Sequence, residues 1–140
     1  MDNIETLNVG IVGYSATQFN IGEAELILME LFLSAKKNSG IPVNIVSGLT
    51  NIGVPKIAYG IAKTYGFYTT GIACSKAFDY ECFPVDTKII VGDNWGDESE
   101  TFLNYIDILV RVGGGKQSLA EVALAKEKNI PVIEYDLDGE

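Results

Sequence analysis

Short apolar runs punctuate this chain, and between them lie longer stretches in which apolar residues recur every three or four positions. The runs are Val9–Val12, Val43–Val46, Thr69–Cys74, Lys88–Val91, Ile108–Val112 and Pro131–Tyr135. They have the length and the branched side chains of buried strands. In the first interval Ala24, Ile27, Leu28, Leu31 and Ala35 make one apolar stripe at helical spacing, opened by Asn20 and Glu23 in a capping-box-like pair and closed by Gly40 and Pro42. A second helix is expected over Pro55–Tyr65, with Ile57, Ala58, Ile61 and Ala62 on one face and Gly66 ending it. A helical turn is expected near Lys76–Tyr80. A third helix starts on the acidic stretch Asp97-Glu98-Ser99-Glu100 and buries Phe102, Leu103 and Ile106, and a fourth runs from Lys116 to about Lys128. Strands alternating with helices predict an α/β fold, a doubly wound and mostly parallel sheet covered on both faces. No repeat or linker divides residues 1–140, so one domain is expected. The acidic end, Asp136–Glu140, reads as a solvated tail.

The first helix departs from a simple one-faced pattern. Leu26, Met29 and Leu33 lie away from its core stripe. Either the helix is sandwiched within the fold, or its outer side meets another subunit. The second reading is favoured, which makes a homo-oligomer, a dimer or higher, the expectation through the Ala24–Ala35 helix.

In a sheet of this kind ligands bind beyond the carboxyl ends of the strands. The stretches that fall there are the glycine-rich and polar ones: Gly13-Tyr14-Ser15, Gly48-Leu49-Thr50, Cys74-Ser75, Gly92–Gly96 and Gly113–Ser118. The last is the most informative. An apolar strand runs into Gly113, Gly114 and Gly115, and Lys116, Gln117 and Ser118 then open a helix. That order presents unpaired backbone N–H groups and the positive end of the helix dipole to an anion such as a phosphate. Lys116 either neutralises that anion or is solvated. Ser118 either adds a hydroxyl to it or caps the helix. Arg111, a charge inside a strand run, either pairs with a carboxylate past the sheet edge or helps hold the anion. Glu121 lies one turn after Ser118 on the same face. It could bond sugar hydroxyls or act as an acid or base, or it could be a surface glutamate. Asp93 and Asn94, with Asp97 and Glu98 nearby, could hold a sugar or base, a metal, or no ligand, and Trp95 and Tyr14 could stack on a base or anchor their loops.

Composition narrows the chemistry. The net charge of −9 argues against nucleic acid as a partner, because no broad basic field offsets phosphate repulsion. There is no histidine, so neither a Ser-His nor a Cys-His pair can form. Cys74 and Cys82 make no metal-site pattern and are expected as free thiols in a reducing cytosol, the expected location. Neither a metal nor a resident cofactor is expected. The longest apolar run, Leu26–Leu33, is interrupted by Glu30 and is too short to span a bilayer, so no membrane partner is expected. The first loop lacks G-x-G-x-x-G and the chain lacks GxxxxGK[ST], which disfavours a nicotinamide-dependent dehydrogenase and a P-loop NTPase.

The segment Gly114-Gly115-Lys116-Gln117-Ser118-Leu119-Ala120-Glu121 is similar to the PGG-x-GT-x-x-E pattern of the "lonely guy" phosphoribohydrolases. Gly114 and Gly115 match its glycine pair, Ser118 stands for its threonine, and Glu121 matches its glutamate. Ser47-Gly48-Leu49-Thr50 and Gly13-Tyr14-Ser15 resemble the glycine loops after the second and first strands. The chain thus resembles the Rossmann-like superfamily of the DNA-processing protein A domain, these phosphoribohydrolases, the lysine-decarboxylase-like proteins and the molybdenum-cofactor carrier proteins. The resemblance implies a nucleotide-type pocket. The phosphoribohydrolases carry an Arg-Lys pair on the helix before the glycine-loop strand, where this chain reads ESETFLNYID with no basic residue. The expectation is therefore a protein that binds a nucleotide or nucleotide-derived phosphate as a carrier, sensor or sequestering protein. The alternatives are a phosphoribohydrolase-type N-glycosidase acting on nucleoside monophosphates, with Glu121 as its catalytic carboxylate, and a structural oligomer subunit.

Overall fold

Six parallel strands form one sheet in the order β4-β3-β2-β1-β5-β6. The computed structural model describes residues 5–14 and 19–137. The strands are β1 (Leu7–Gly13), β2 (Val43–Ser47), β3 (Tyr68–Ala73), β4 (Thr87–Ile90), β5 (Ile108–Val112) and β6 (Val132–Tyr135). The helices are α1 (Ile21–Asn38), α2 (Gly53–Thr64), α3 (Ser99–Tyr105) and α4 (Lys116–Glu127), with a 3-10 turn over Ser75–Asp79 between β3 and β4. Every expected strand and helix is present, with ends shifted by a few residues. None of the described helices is long and apolar enough to cross a membrane.

The alternation of side chains along each strand divides the core in two. Val9, Ile11, Val43, Ile45, Val110 and Val112 point to the face covered by α1 and α2, through Ala24, Leu28 and Phe32 and through Val54, Ala58, Tyr59 and Ala62. Val12, Val46, Ile72 and Leu109 point the other way, onto Phe102, Leu103 and Ile106 around α3 and onto Val122 and Ala125 of α4. The Asn20 side chain caps α1 by accepting from the Glu23 backbone N–H at 3.0 Å. On the solvent side of α1, Leu26, Met29 and Leu33 are 63%, 43% and 41% exposed.

The tail differs from the expectation. Leu137 is buried against the α1/α2 core, and Asp136 accepts from Arg111 at 2.8 Å. One apolar side chain and one ion pair thus draw the start of this acidic segment onto the sheet. Both cysteines are free thiols, Cys74 buried and Cys82 partly so.

The strand order sets the position of the site. From β1 the chain builds outward through β2, β3 and β4, then crosses back to lay β5 on the opposite side of β1. The connections after β1 and after β5 diverge to opposite faces, and a crevice opens between them at this switch point.

Candidate functional site

A cleft of about 440 Å³ occupies that crevice. This is within the size range of small-molecule sites. One wall is the end of β1 with Gly13 and Tyr14. A second is the β2 exit with Gly48, Leu49, Thr50 and Ile52. The third is the start of α4 with Gly115, Lys116, Gln117, Ser118 and Glu121. Ala77 and Tyr80 from the 3-10 turn and its exit, and Trp95, Glu98 and Phe102 from the segment before and within α3, close the rim and floor.

The glycine loop is shaped for this position. Gly113 and Gly114 have φ of 62° and 131°, backbone that favours glycine. A Cβ on Gly114 would sit 2.8 Å from the Ser118 Cβ. Gly115 is the N-cap of α4 and offers no side chain to it, so the first-turn N–H groups of α4 have no capping acceptor. Ser118 is not that cap either: its hydroxyl is turned toward the Gly13 carbonyl at 3.4 Å.

Arg111 takes the structural alternative of the two raised for it. Its guanidinium donates to Glu134 at 3.0 Å, to Asp136 at 2.8 Å and to the Gly113 carbonyl at 2.7 Å, and it does not line the cleft. Burial lowers its pKa, but the hydrogen bonds it donates to the Asp136 and Glu134 carboxylates, and their charges, outweigh this and hold it above its ordinary value. Its effect on the site is indirect, because it fixes the carbonyl at which the glycine loop begins.

The β2 exit is tied down from two sides. The Tyr59 hydroxyl lies 2.7 Å from the Gly48 carbonyl and 2.9 Å from that of Thr70, either of which can accept its one proton. Burial pushes the Tyr59 phenol above its usual range, so it stays a donor. The Phe83 N–H donates to the Leu49 carbonyl and the Asn51 N–H to the Glu81 carbonyl, which lays segment 81–83 against the loop.

Asp93 and Asn94 do not line the cleft. The Asp97 carboxylate accepts from both of their backbone N–H groups at 3.1 and 3.0 Å, and the Asp93 side chain accepts from the Ser75 hydroxyl at 2.7 Å. This turn satisfies its own polar groups and carries Trp95 to the rim, where the indole meets the Tyr80 ring at 6.1 Å. Gly113 and Gly114 shape the loop without lining the cleft. Ser15 lies outside the described residues.

The floor holds a feature that sequence reasoning placed only in part. Glu121 is 7% exposed and Glu98 is 6% exposed, and both line the cleft. Glu98 accepts from the Gly96 N–H at 2.9 Å, and the Gln117 amide reaches toward it at 3.4 Å. Glu121 accepts from the Ser99 hydroxyl at 3.0 Å. Neither carboxylate has a cationic partner among the described residues, and Lys116 is the one cation lining the cleft there. Burial therefore pushes the Glu121 carboxyl up to about 7. The neighbouring Glu98 charge adds to this, while the Ser99 and Gln117 hydrogen bonds oppose it. Tyr80, Ile52 and Phe102 also line the cleft, a role the sequence pattern did not give them. The one available signal for Tyr80 and Phe102 was their place near the carboxyl ends of β3 and β4 in chain order.

No protein-family model matches the chain, and neither does any curated protein sequence. Solved structures do. A molybdenum cofactor binding protein from the phototrophic bacterium Rippkaea orientalis superposes with a TM-score of 0.80 at 24% identity, over 97% of this chain and 80% of that one. The molybdenum cofactor carrier protein MCP from Chlamydomonas reinhardtii does so with a TM-score of 0.75 at 24% identity, over 93% of this chain and 76% of that one. The α/β architecture described above is thus the fold of these carrier-type proteins, shared at distant sequence identity.

Proposed function

We propose that this chain binds a small phosphate-bearing molecule of nucleotide type in the cleft and acts as a carrier, sensor or sequestering protein. The observation that carries this reading is the uncapped start of α4, set behind Gly113–Gly115 and opening on the cleft beside Lys116. A dianion there meets backbone N–H groups, a helix dipole and one ammonium. Leu49, Ile52 and Phe102 offer apolar surface to the rest of the ligand, and Tyr80 and Trp95 offer ring faces at the rim. The similarity in fold to a molybdenum cofactor carrier protein and a molybdenum cofactor binding protein supports a carrier role and makes that cofactor a candidate cargo.

A second reading has one observation in its favour. Glu121 titrates near neutrality beside Glu98, which suits an acid or base in an N-glycosidase. Against it stand the absence of histidine and the absence of any basic residue on α3.

The test is a thermal-shift screen against nucleoside mono-, di- and triphosphates and the molybdenum cofactor, with the same wells read by mass spectrometry for released base. A ligand at about 100 times its Kd stabilises the fold by roughly 2.7 kcal/mol, which is several degrees for a domain of this size. A shift with the ligand intact, reduced in Lys116→Ala, is expected. Release of free base, abolished in Glu121→Gln, would replace the carrier reading with the enzyme. No shift with any compound would overturn both.

A further inference from the structure

We propose that Glu98 reads the ring of the ligand and selects one with two adjacent N–H donors, the ring N–H and exocyclic amino group that guanine presents side by side. This rests on the phosphate reading above and names the class of base attached to that phosphate. Glu98 immediately precedes α3, yet its side chain does not cap that helix. It lines the cleft instead, and it is 6% exposed. Burying a carboxylate is costly unless it is paired or fully hydrogen-bonded. Glu98 is neither: no cation among the described residues pairs with it. Its Oε1 accepts from the Gly96 N–H at 2.9 Å, and its Oε2 has the Gln117 amide at 3.4 Å, beyond the usual hydrogen-bond range. A carboxylate can take about four hydrogen bonds. The unmet capacity belongs to a side chain on the cleft wall.

Charge and shape identify the group that fills it. Glu98 and Glu121 repel a phosphate, which is therefore kept to the start of α4 beside Lys116, and the other end of the ligand meets Glu98. Trp95 and Phe102 line the cleft from the same stretch of chain as Glu98, and Tyr80 and Ile52 complete an apolar and aromatic surface suited to a flat ring. Guanine's ring N–H and amino group are parallel donors, which match the two oxygens of one carboxylate. They replace the long Gln117 contact. Hypoxanthine keeps only the ring N–H. Adenine sets a ring-nitrogen acceptor beside its amino group, and that lone pair would meet those of the carboxylate.

Calorimetric titration of the full chain with guanosine, inosine and adenosine 5′-monophosphates, in EDTA and again with magnesium, is the test. The guanosine nucleotide should bind at least about tenfold tighter than the inosine one, which lacks one hydrogen bond to a charged group. The adenosine nucleotide should be the weakest. Glu98→Gln leaves an amide oxygen to accept and adds an amino group that donates, a pair that suits adenine. In that variant the guanosine nucleotide should weaken at least about tenfold and the adenosine nucleotide should tighten, an inversion that mere loss of structure cannot produce. The ranking in the parent stands on its own should the variant fail to fold. Lys116→Ala should weaken all three nucleotides by a similar factor. Equal affinities that fall together in Lys116→Ala would overturn this inference and leave the phosphate reading in place. No binding, or binding indifferent to Lys116→Ala, would overturn both. Tightening of all three by magnesium, lost in Glu98→Gln, would give Glu98 to a divalent cation and overturn the assignment to a base.

Discussion

Glu121 is where burial and charge make the sharpest demand, and Glu121→Gln tests it. The carboxyl titrates near 7 in the folded chain against an ordinary 4.5, chiefly because burial disfavours its charged form. Well below pH 4.5 the group is protonated in both folded and unfolded chains and has no effect on stability. As pH rises from 4.5 toward 7 the unfolded chain releases the proton first, so the unfolded state is favoured and stability falls. Above 7 both states are ionised and the loss is complete, at about 3 kcal/mol for a difference of this size. Glutamine mimics the protonated acid. Its amide oxygen can still accept from the Ser99 hydroxyl, and it removes the repulsion from Glu98. Glu121→Gln should therefore exceed the parent by less than about 1 kcal/mol at pH 5 and by up to about 3 kcal/mol at pH 8, the latter roughly 6–12 °C in Tm. Urea melts followed by circular dichroism at half-unit steps from pH 5 to 8 measure this directly. The difference between the two proteins cancels the other carboxylates, including Glu134, which Arg111 and Lys126 hold below its ordinary value. A difference that does not grow with pH, or a variant less stable than the parent at pH 8, would refute the assignment of an uncompensated buried carboxylate.

Three further outcomes follow from the geometry around the cleft. Gly114→Ala should cost about 1–3 kcal/mol, because alanine resists the φ of 131° and its Cβ would press on Ser118; a thermal melt reads it, and ligand affinity should fall with it. Arg111→Leu should destabilise by about 1–2 kcal/mol rather than more, since Asp136 is largely exposed and can be rehydrated. Hydrogen exchange should rise at Gly113–Gly115 in that variant, and unchanged exchange would remove the link between Arg111 and the loop. Tyr59→Phe leaves the Gly48 and Thr70 carbonyls without their shared donor and should cost about 1–2 kcal/mol in chemical denaturation.

The similar carrier-type structures share this fold at 24% identity, a level at which the framework persists while side chains have been replaced. What a ligand meets is consequently decided by this chain's own residues. The cleft combines an uncapped helix start and one lysine on one side with two buried carboxylates that have no cationic partner among the described residues on the other. A phosphate placed on the loop would raise the affinity of Glu121 for its proton further, so binding should be accompanied by proton uptake at pH 7 to 8.

Much of this molecule is legible one segment at a time. Strand runs, helical stripes, the Asn20 cap and the three glycines ahead of Lys116 each depend on residues a few positions apart. Backbone periodicity, capping and left-handed turns are local properties, and so all of these could be read in order along the chain. What the sequence alone left undecided are contacts between segments far apart. Arg111 could serve an anion or a carboxylate; the pairing of β6 beside β5 decided it by delivering Glu134 and Asp136. Asp93 and Asn94 were as plausible for a ligand as Glu98, until Asp97 turned back on their N–H groups and left Glu98 alone facing the cleft. Glu98 and Glu121, more than twenty residues apart, meet only because α3 and α4 cover the same face of the sheet. Local pattern determines which elements form. Strand order and the crossover back to β5 determine which side chains share a low-dielectric space, and no periodicity in the sequence encodes that.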